Sequence, residues 1–234
     1  IGAYSEKHIM PENKLVPVPD GVSDEVASCV TLKGITAEYL LHRAYQLKKG
    51  DKVLYHAAAG ALGQILCPWA NSIGAEIIGT VGSKEKEEIA KKNGCHHVIN
   101  YTDKDFVEEV EKIVGKNGID VVYDGVGLKT FEGSIEVLKI RGMMVAFGNA
   151  SGYVDTIDVK KHINAKGLFF TRPSLAHYTI EREELLESAK KVFNAVLSGK
   201  FKIEISKKYS LDEVKQAHED LEGRLLTGPA VIKP

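Results

Sequence analysis

Between residues 52 and 171 the chain alternates short apolar runs with longer segments whose apolar positions recur at helical spacing. The runs predict strands at 52–57, 75–81, 97–100, 119–124, 143–148 and 167–171. The longer segments predict helices at 62–72, 84–93, 103–114, 129–138 and 159–163. Six short strands, each handed on through a helix, predict an α/β fold built on a doubly wound, parallel six-stranded sheet. Ahead of this block, residues 1–20 read as extended chain punctuated by Pro11, Pro17 and Pro19, followed by helical patterns at Ser23–Cys29 and Thr36–Gln46. Behind it come amphipathic helices at 181–198 and 211–222 and a last strand around Ala230–Ile232. The sheet domain is therefore expected over 33–171, with the flanks 1–32 and 172–234 belonging to something else. Pro68 falls inside the helix at 62–72, where it removes a hydrogen bond and crowds the preceding turn, so a kink or an early 3₁₀ start is expected there.

The first strand and the turn after it read Lys52-Val-Leu-Tyr-His-Ala-Ala-Ala-Gly-Ala-Leu-Gly63, with small residues spaced Ala58-x-Gly60-x-x-Gly63. This is the spacing of a dinucleotide-binding turn, with alanine at the first glycine position. Small residues let the backbone turn sharply and leave bare N–H groups for a pyrophosphate, at the positive end of the following helix. Glycine-spaced turns also arise for steric reasons alone. Here the signal comes from the strand, turn, helix and second strand falling in the right order.

The second strand, Ala75–Val81, ends without the carboxylate that would grip a free ribose 2′-hydroxyl. Val81-Gly82-Ser83-Lys84-Glu85-Lys86 stands there instead. A hydroxyl and two ammonium groups suit an anionic 2′-phosphate, so Ser83 with Lys86 or Lys84 favours NADPH over NADH. The alternative is that Ser83 caps the next helix and the lysines are solvated.

Composition narrows the classes. With 44% hydrophobic and 27% charged residues and a formal net charge of −1, the chain lacks the basic footprint of a nucleic-acid or anionic-membrane binder. No apolar run is long enough to span a bilayer, and no signal segment opens the chain. Cys29, Cys67 and Cys95 are few, odd in number and widely spaced, which points to a reducing cytoplasm and away from a disulfide framework or a zinc lobe. The opening Ile1–Met10 reads as mid-sheet strand material, so the chain is expected to be a piece of a longer one.

Other constellations are weaker. Tyr123-Asp-Gly-Val-Gly127 ends the fourth strand, at the edge where such sheets bind ligands. Gly125 and Gly127 there either let the backbone approach a cofactor or simply form a turn. Phe147-Gly-Asn-Ala-Ser-Gly152 closes the fifth strand, and its backbone, Asn149 amide and Ser151 hydroxyl would either meet a nicotinamide and its ribose or make an ordinary polar turn. His96 and His97 beside Cys95 resemble a metal cluster, but neighbours on a strand point to opposite faces. His56 reads as a packed or hydrogen-bonded residue.

Taken together, six motifs resemble one family. His-Ala-Ala-Ala-Gly-Ala-Leu-Gly63, Thr80-Val-Gly-Ser83 with Lys86, Val98-Ile-Asn-Tyr101, Phe147-Gly-Asn149, Arg172-Pro-Ser-Leu175 and Tyr209-Ser-Leu-Asp-Glu-Val214 look like the bacterial NADPH:quinone oxidoreductases. These form the zinc-independent, zeta-crystallin-like branch of the medium-chain dehydrogenase/reductases. The resemblance implies a Rossmann sheet plus the remnant of a GroES-like catalytic domain whose front is absent. It implies that Gly60, Ala61 and Leu62 meet the pyrophosphate, and that Ser83, Lys86 and Tyr101 meet the 2′-phosphate. Thr36 and Asn149 would face the nicotinamide half, Arg224 would approach the cofactor from the tail, and Gly125 and Phe147 are further cofactor-binding candidates. No catalytic residue is assigned. Ala61 departs from the family's glycine, and Pro229 stands where a lysine or small polar residue is usual. The implied activity is NADPH-dependent reduction of a quinone or enone in a homodimer joined through the sixth strand, Gly167–Thr171. This chain alone is expected to bind NADPH with little turnover. Alternatives are a zinc alcohol dehydrogenase of the same superfamily and a non-catalytic NADPH-binding module.

Overall fold

Every apolar run of the central block becomes a strand: β1 Lys52–His56, β2 Glu76–Val81, β3 His97–Asn100, β4 Ile119–Asp124, β5 Leu138–Ala146 and β6 Phe169–Thr171. The structure is a computed structural model that describes residues 2–223, 225, 226 and 228–234. The strands form one parallel sheet in the order β3-β2-β1-β4-β5-β6, the Rossmann arrangement. Between them run α2 Gly63–Ile73, α3 Lys84–Lys92, α4 Phe106–Val114 and α5 Phe131–Val137.

The strands are apolar throughout because both faces of the sheet are covered. Val53, Tyr55, Ile77, Val121 and Tyr123 pack on one side with Ile65 and Leu66 of α2. Leu54, Ile78, Val122 and Met144 pack on the other with Val110 of α4 and Phe131 of α5. The period-2 alternation of side chains assigns them, and the register sets Leu54 beside both Ile78 and Val122. Each such side chain stabilises the fold by about 1.5–3 kcal/mol on burial.

Several expectations are corrected. The two helical patterns near the start are one helix, α1 Asp24–Tyr39, which opens on the Ser23 cap (Val26 N–H to Oγ, 3.3 Å) and passes into a wide π turn at Leu40–Ala44. Gly34 lies in the gap between the two expected patterns. A Cβ there would lie 2.5 Å from Val192 Cγ1, so the glycine serves close packing against α6, Arg182–Leu197. The π turn sits where the Tyr123 hydroxyl donates to the Leu40 carbonyl at 3.0 Å. β5 begins at Leu138, five residues ahead of the expected 143, across an irregularity that includes Arg141 at φ 60°. The expected helix at 159–163 is a π turn, Val159–Asn164. α2 runs unbroken through Pro68, and its first turn carries a tight bond from Ile65 N–H to the Leu62 carbonyl at 3.0 Å.

The tail adds a strand the sequence did not announce. β7, Lys207–Ser210, pairs in parallel with β8, Ala230–Lys233, as a separate two-stranded sheet, with α7 Val214–Glu222 between them. No helix among the described residues is long and apolar enough to cross a membrane.

Candidate functional site

The turn after β1 is built for close approach. Ala57 adopts a left-handed φ of 62°, a conformation that costs a residue with a side chain about 1–2 kcal/mol. Its carbonyl accepts the Gly60 N–H at 2.8 Å, while Ala58 N–H is tied to the Thr80 carbonyl of β2 at 3.0 Å. A Cβ on Gly63 would sit 2.3 Å from the Ala58 carbonyl oxygen, which is why α2 can start so close to the strand. Ala58, standing in for the first glycine, has room because β2 carries Gly79 opposite it. A Cβ at 79 would lie 2.6 Å from the Ala58 Cβ and 2.8 Å from Cys95 Sγ. The N–H groups of Ala61, Leu62 and Gly63 donate to no other described residue. Unpartnered first-turn donors of this kind fit the pyrophosphate of a dinucleotide.

Next to this turn lies a cleft of about 320 Å³. It is bounded by the loop from Ala57 to Ala61, by Gln64, by Val81, Gly82, Lys86 and Tyr101, and on the tail side by Leu221, Leu226 and Gly228. Tyr101, half exposed, leans across Gly82: a Cβ at 82 would stand 2.5 Å from its hydroxyl. Lys86 is exposed and makes no ion pair with a described residue. Ser83 occupies the cap position of α3 without accepting a backbone N–H from it, so the simple capping alternative lacks its hydrogen bond. The Glu85 carboxyl is held below its ordinary value by its own backbone N–H and then by the Ser83 hydroxyl.

The structure thus gathers Gly60, Ala61, Lys86 and Tyr101 around one space, with Leu62 and Ser83 adjoining in sequence. Thr36, Gly125, Phe147 and Asn149 do not line it. The Thr36 hydroxyl donates to the Leu32 carbonyl within α1 at 2.9 Å. Phe147 stacks on Tyr55 at 6.3 Å, and its ring would meet a Cβ on Gly125 at 2.9 Å. Asn149 is half-buried, and its side chain makes no hydrogen bond with a described residue. The Ser151 hydroxyl is engaged within the loops, donating to the Val126 carbonyl at 2.8 Å and accepting from Lys129 N–H at 3.0 Å. Arg224 lies outside the described residues, although Leu221 and Leu226 on either side of it line the cleft. Gly82 was within the motif read from the sequence. Leu221, Leu226 and Gly228 were missed, since apolar or small residues at a helix end carry no signature.

The remaining titratable groups offer little chemistry. His96 Nδ1 accepts the Ile77 N–H at 3.1 Å, and His97 Nε2 faces Glu76 at 3.1 Å, so the pair serves two separate contacts. Hydrogen bonding with Cys95 and burial push the Cys67 thiol well above its ordinary range, which makes it a poor nucleophile. No group of three His, Cys, Asp or Glu residues able to hold a metal ion occurs among the described residues.

The sequence matches a family model described as zinc-binding dehydrogenase over residues 61–198. It is 45% identical to the 2-haloacrylate reductase of a Burkholderia species over 237 residues, covering 100% of this chain and 71% of that protein. It is 42% identical to quinone oxidoreductase 1 of Escherichia coli strain K12 over 237 residues, covering 100% of this chain and 72% of that one. Its fold superposes on a crystal structure of Escherichia coli quinone oxidoreductase complexed with NADPH with a TM-score of 0.92, at 41% identity, covering 99% of this chain and 72% of that chain.

Proposed function

The chain belongs to the zinc-binding dehydrogenase family, among its quinone oxidoreductases, and on that premise we propose that it serves the NADPH-dependent, zinc-independent reduction of quinones or related conjugated carbonyls. One observation carries this reading: the turn that leaves the N–H groups of Ala61, Leu62 and Gly63 without a described partner lines, through Gly60 and Ala61, the same cleft as Lys86 and Tyr101. NADPH, when bound, supplies a hydride for a conjugated acceptor. The chain's own residues bind and orient. Gly60, Ala61 and Leu62 take the pyrophosphate, while Lys86, Tyr101 and Ser83 take the 2′-phosphate, an assignment in which Ser83 exchanges its contact with Glu85 for one with the phosphate. Thr36 and Asn149 face the nicotinamide half, and Gly125, Phe147 and Arg224 are further cofactor contacts.

Residues 33–171 form the nucleotide-binding domain in this reading, and 1–32 with 172–234 belong to the catalytic one, α1 running across the boundary between them. Three free cysteines suit the cytoplasm. β6 is the edge that pairs two copies.

The acceptor class follows from shared chemistry. A quinone and a 2-haloacrylate, the substrates in the names of two relatives, both present a carbon–carbon double bond conjugated to a carbonyl group. The test is consumption of NADPH followed by absorbance, with 1,4-benzoquinone and 2-chloroacrylate as separate acceptors. Slow acceptor-dependent oxidation with either one, saturating in acceptor, is the expected outcome for this chain. Oxidation of a simple alcohol with neither acceptor used would contradict it.

A further inference from the structure

Behind the nucleotide turn, and not among the residues that line the cleft, buried polar side chains from four elements stand in file. His56, at the end of β1 and 1% exposed, places Nδ1 2.9 Å from Thr80 Oγ1 on β2 and Nε2 3.0 Å from Ser134 Oγ on α5. The Ser134 hydroxyl donates to Asp124 Oδ2 at 3.2 Å, and the Thr130 hydroxyl donates to the same oxygen at 2.7 Å. Asp124 Oδ1 accepts the N–H groups of Val126 and Gly127 at 2.7 and 3.0 Å. With Asp124 accepting throughout, Ser134 has spent its proton and its oxygen must accept from His56 Nε2–H. His56 Nδ1 is then bare and accepts the Thr80 hydroxyl. The ring is neutral in one tautomer, and burial, opposed only by the nearby Asp124 charge, holds its pKa below the ordinary histidine value.

Each end of the file holds a ligand-facing loop. Thr80 also holds Ala58 through its carbonyl at 3.0 Å, and Ala57, next to His56, is the left-handed residue that starts the turn. Asp124 uses its carbonyl as well, accepting Phe147 N–H at 2.9 Å and Gly148 N–H at 3.2 Å. The turn after β1 and the loops after β4 and β5 are thereby tied through one buried imidazole.

We propose that His56 is a positioning residue for the dinucleotide: as the neutral Nε2–H tautomer it sets the turn that meets the pyrophosphate against the loops that face the nicotinamide. This rests on the NADPH reading. It makes a distinction that a general loss of fold would not, because the adenosine 2′-phosphate contacts at Lys86 and Tyr101 lie outside the file.

Calorimetric titration of the parent chain, His56→Leu and His56→Gln with NADPH and with adenosine 2′-monophosphate reads this out. Leucine fills the space without polar atoms and is expected to weaken NADPH about tenfold, the order of one buried hydrogen bond lost, leaving the 2′-monophosphate unchanged. Glutamine keeps one donor and one acceptor and is expected to restore most of the NADPH affinity. Should His56→Leu fail to fold, Thr80→Val removes a single link at constant shape and carries the same comparison. Unchanged NADPH affinity in these variants, or equal weakening of both ligands, would overturn the proposal. A parent chain that binds neither ligand would overturn the NADPH reading itself, and this inference with it.

Discussion

Ala58 stands where a dinucleotide turn usually carries glycine, and the space its methyl needs is released across the sheet by Gly79. The substitution was visible in the sequence, but its compensation was not, because only the register that sets Tyr55 beside Gly79 brings the two together. Gly79→Ala is expected to destabilise the fold by about 1–3 kcal/mol through overpacking. Ala58→Gly in the same chain should recover part of that loss, and only part, because Cys95 Sγ also stands 2.8 Å from the new Cβ. Chemical denaturation of the two single variants and the double variant measures the coupling. Strict additivity would show that the two sites do not share space. Tyr101 and Gly82 are related in the same way, and there each partner lay in a motif read from the sequence.

At the scale of elements, the central strands were legible because a sheet covered on both faces needs continuous apolar runs, and helices α2 to α4 because their apolar stripes are regular. Where side chains serve a distant neighbour, the pattern misleads. The pattern divided α1 in two, and Gly34, in the gap between the parts, is a packing contact with Val192. β7 was not foreseen, since Lys207-Lys-Tyr-Ser210 has no apolar alternation. Only Tyr209 of its residues is buried. A polar knot holds this strand to α7: Asp220 accepts from Lys207 at 2.6 Å, from the Tyr209 hydroxyl at 2.5 Å and from Gln216 at 2.7 Å. Lys207, then Tyr209 and Gln216, draw the Asp220 carboxyl down from 3.8 to about 2. A depressed carboxylate contributes stability that is complete above its unfolded value and is lost as pH falls through the folded one. Asp220→Asn is therefore expected to melt below the parent chain at neutral pH, with the gap closing between pH 3.8 and about 2. Thermal melts of both chains across that range decide it. A gap independent of pH would show that the charge of Asp220 does not hold the tail.

For the molecule as a whole, the fold and the nucleotide turn were readable from the chain, whereas the tail wall of the cleft at Leu221, Leu226 and Gly228 was not. That wall comes from a segment more than a hundred residues beyond the turn (the cleft draws on residues 57 to 228) and has no chemistry to mark it. The sheet edge also bears on the whole molecule. Among the described residues β6 pairs only with β5, and Phe169 on it is 58% exposed, which makes it an unprotected edge. If two copies join there, sedimentation at micromolar concentration should give a dimer and Phe169→Lys a monomer. A monomeric parent chain would contradict a dimer through this edge. The central claim is the cofactor, and titration of NADPH and NADH against the parent chain and Lys86→Ala tests it most directly. The parent is expected to prefer NADPH by about tenfold or more, since a charge-assisted hydrogen bond to the 2′-phosphate contributes roughly 1.5–3 kcal/mol. Lys86→Ala should remove most of that preference and leave NADH binding as it was. Equal affinity for both cofactors in the parent chain, or the same loss for both in the variant, would contradict the assignment of this cleft.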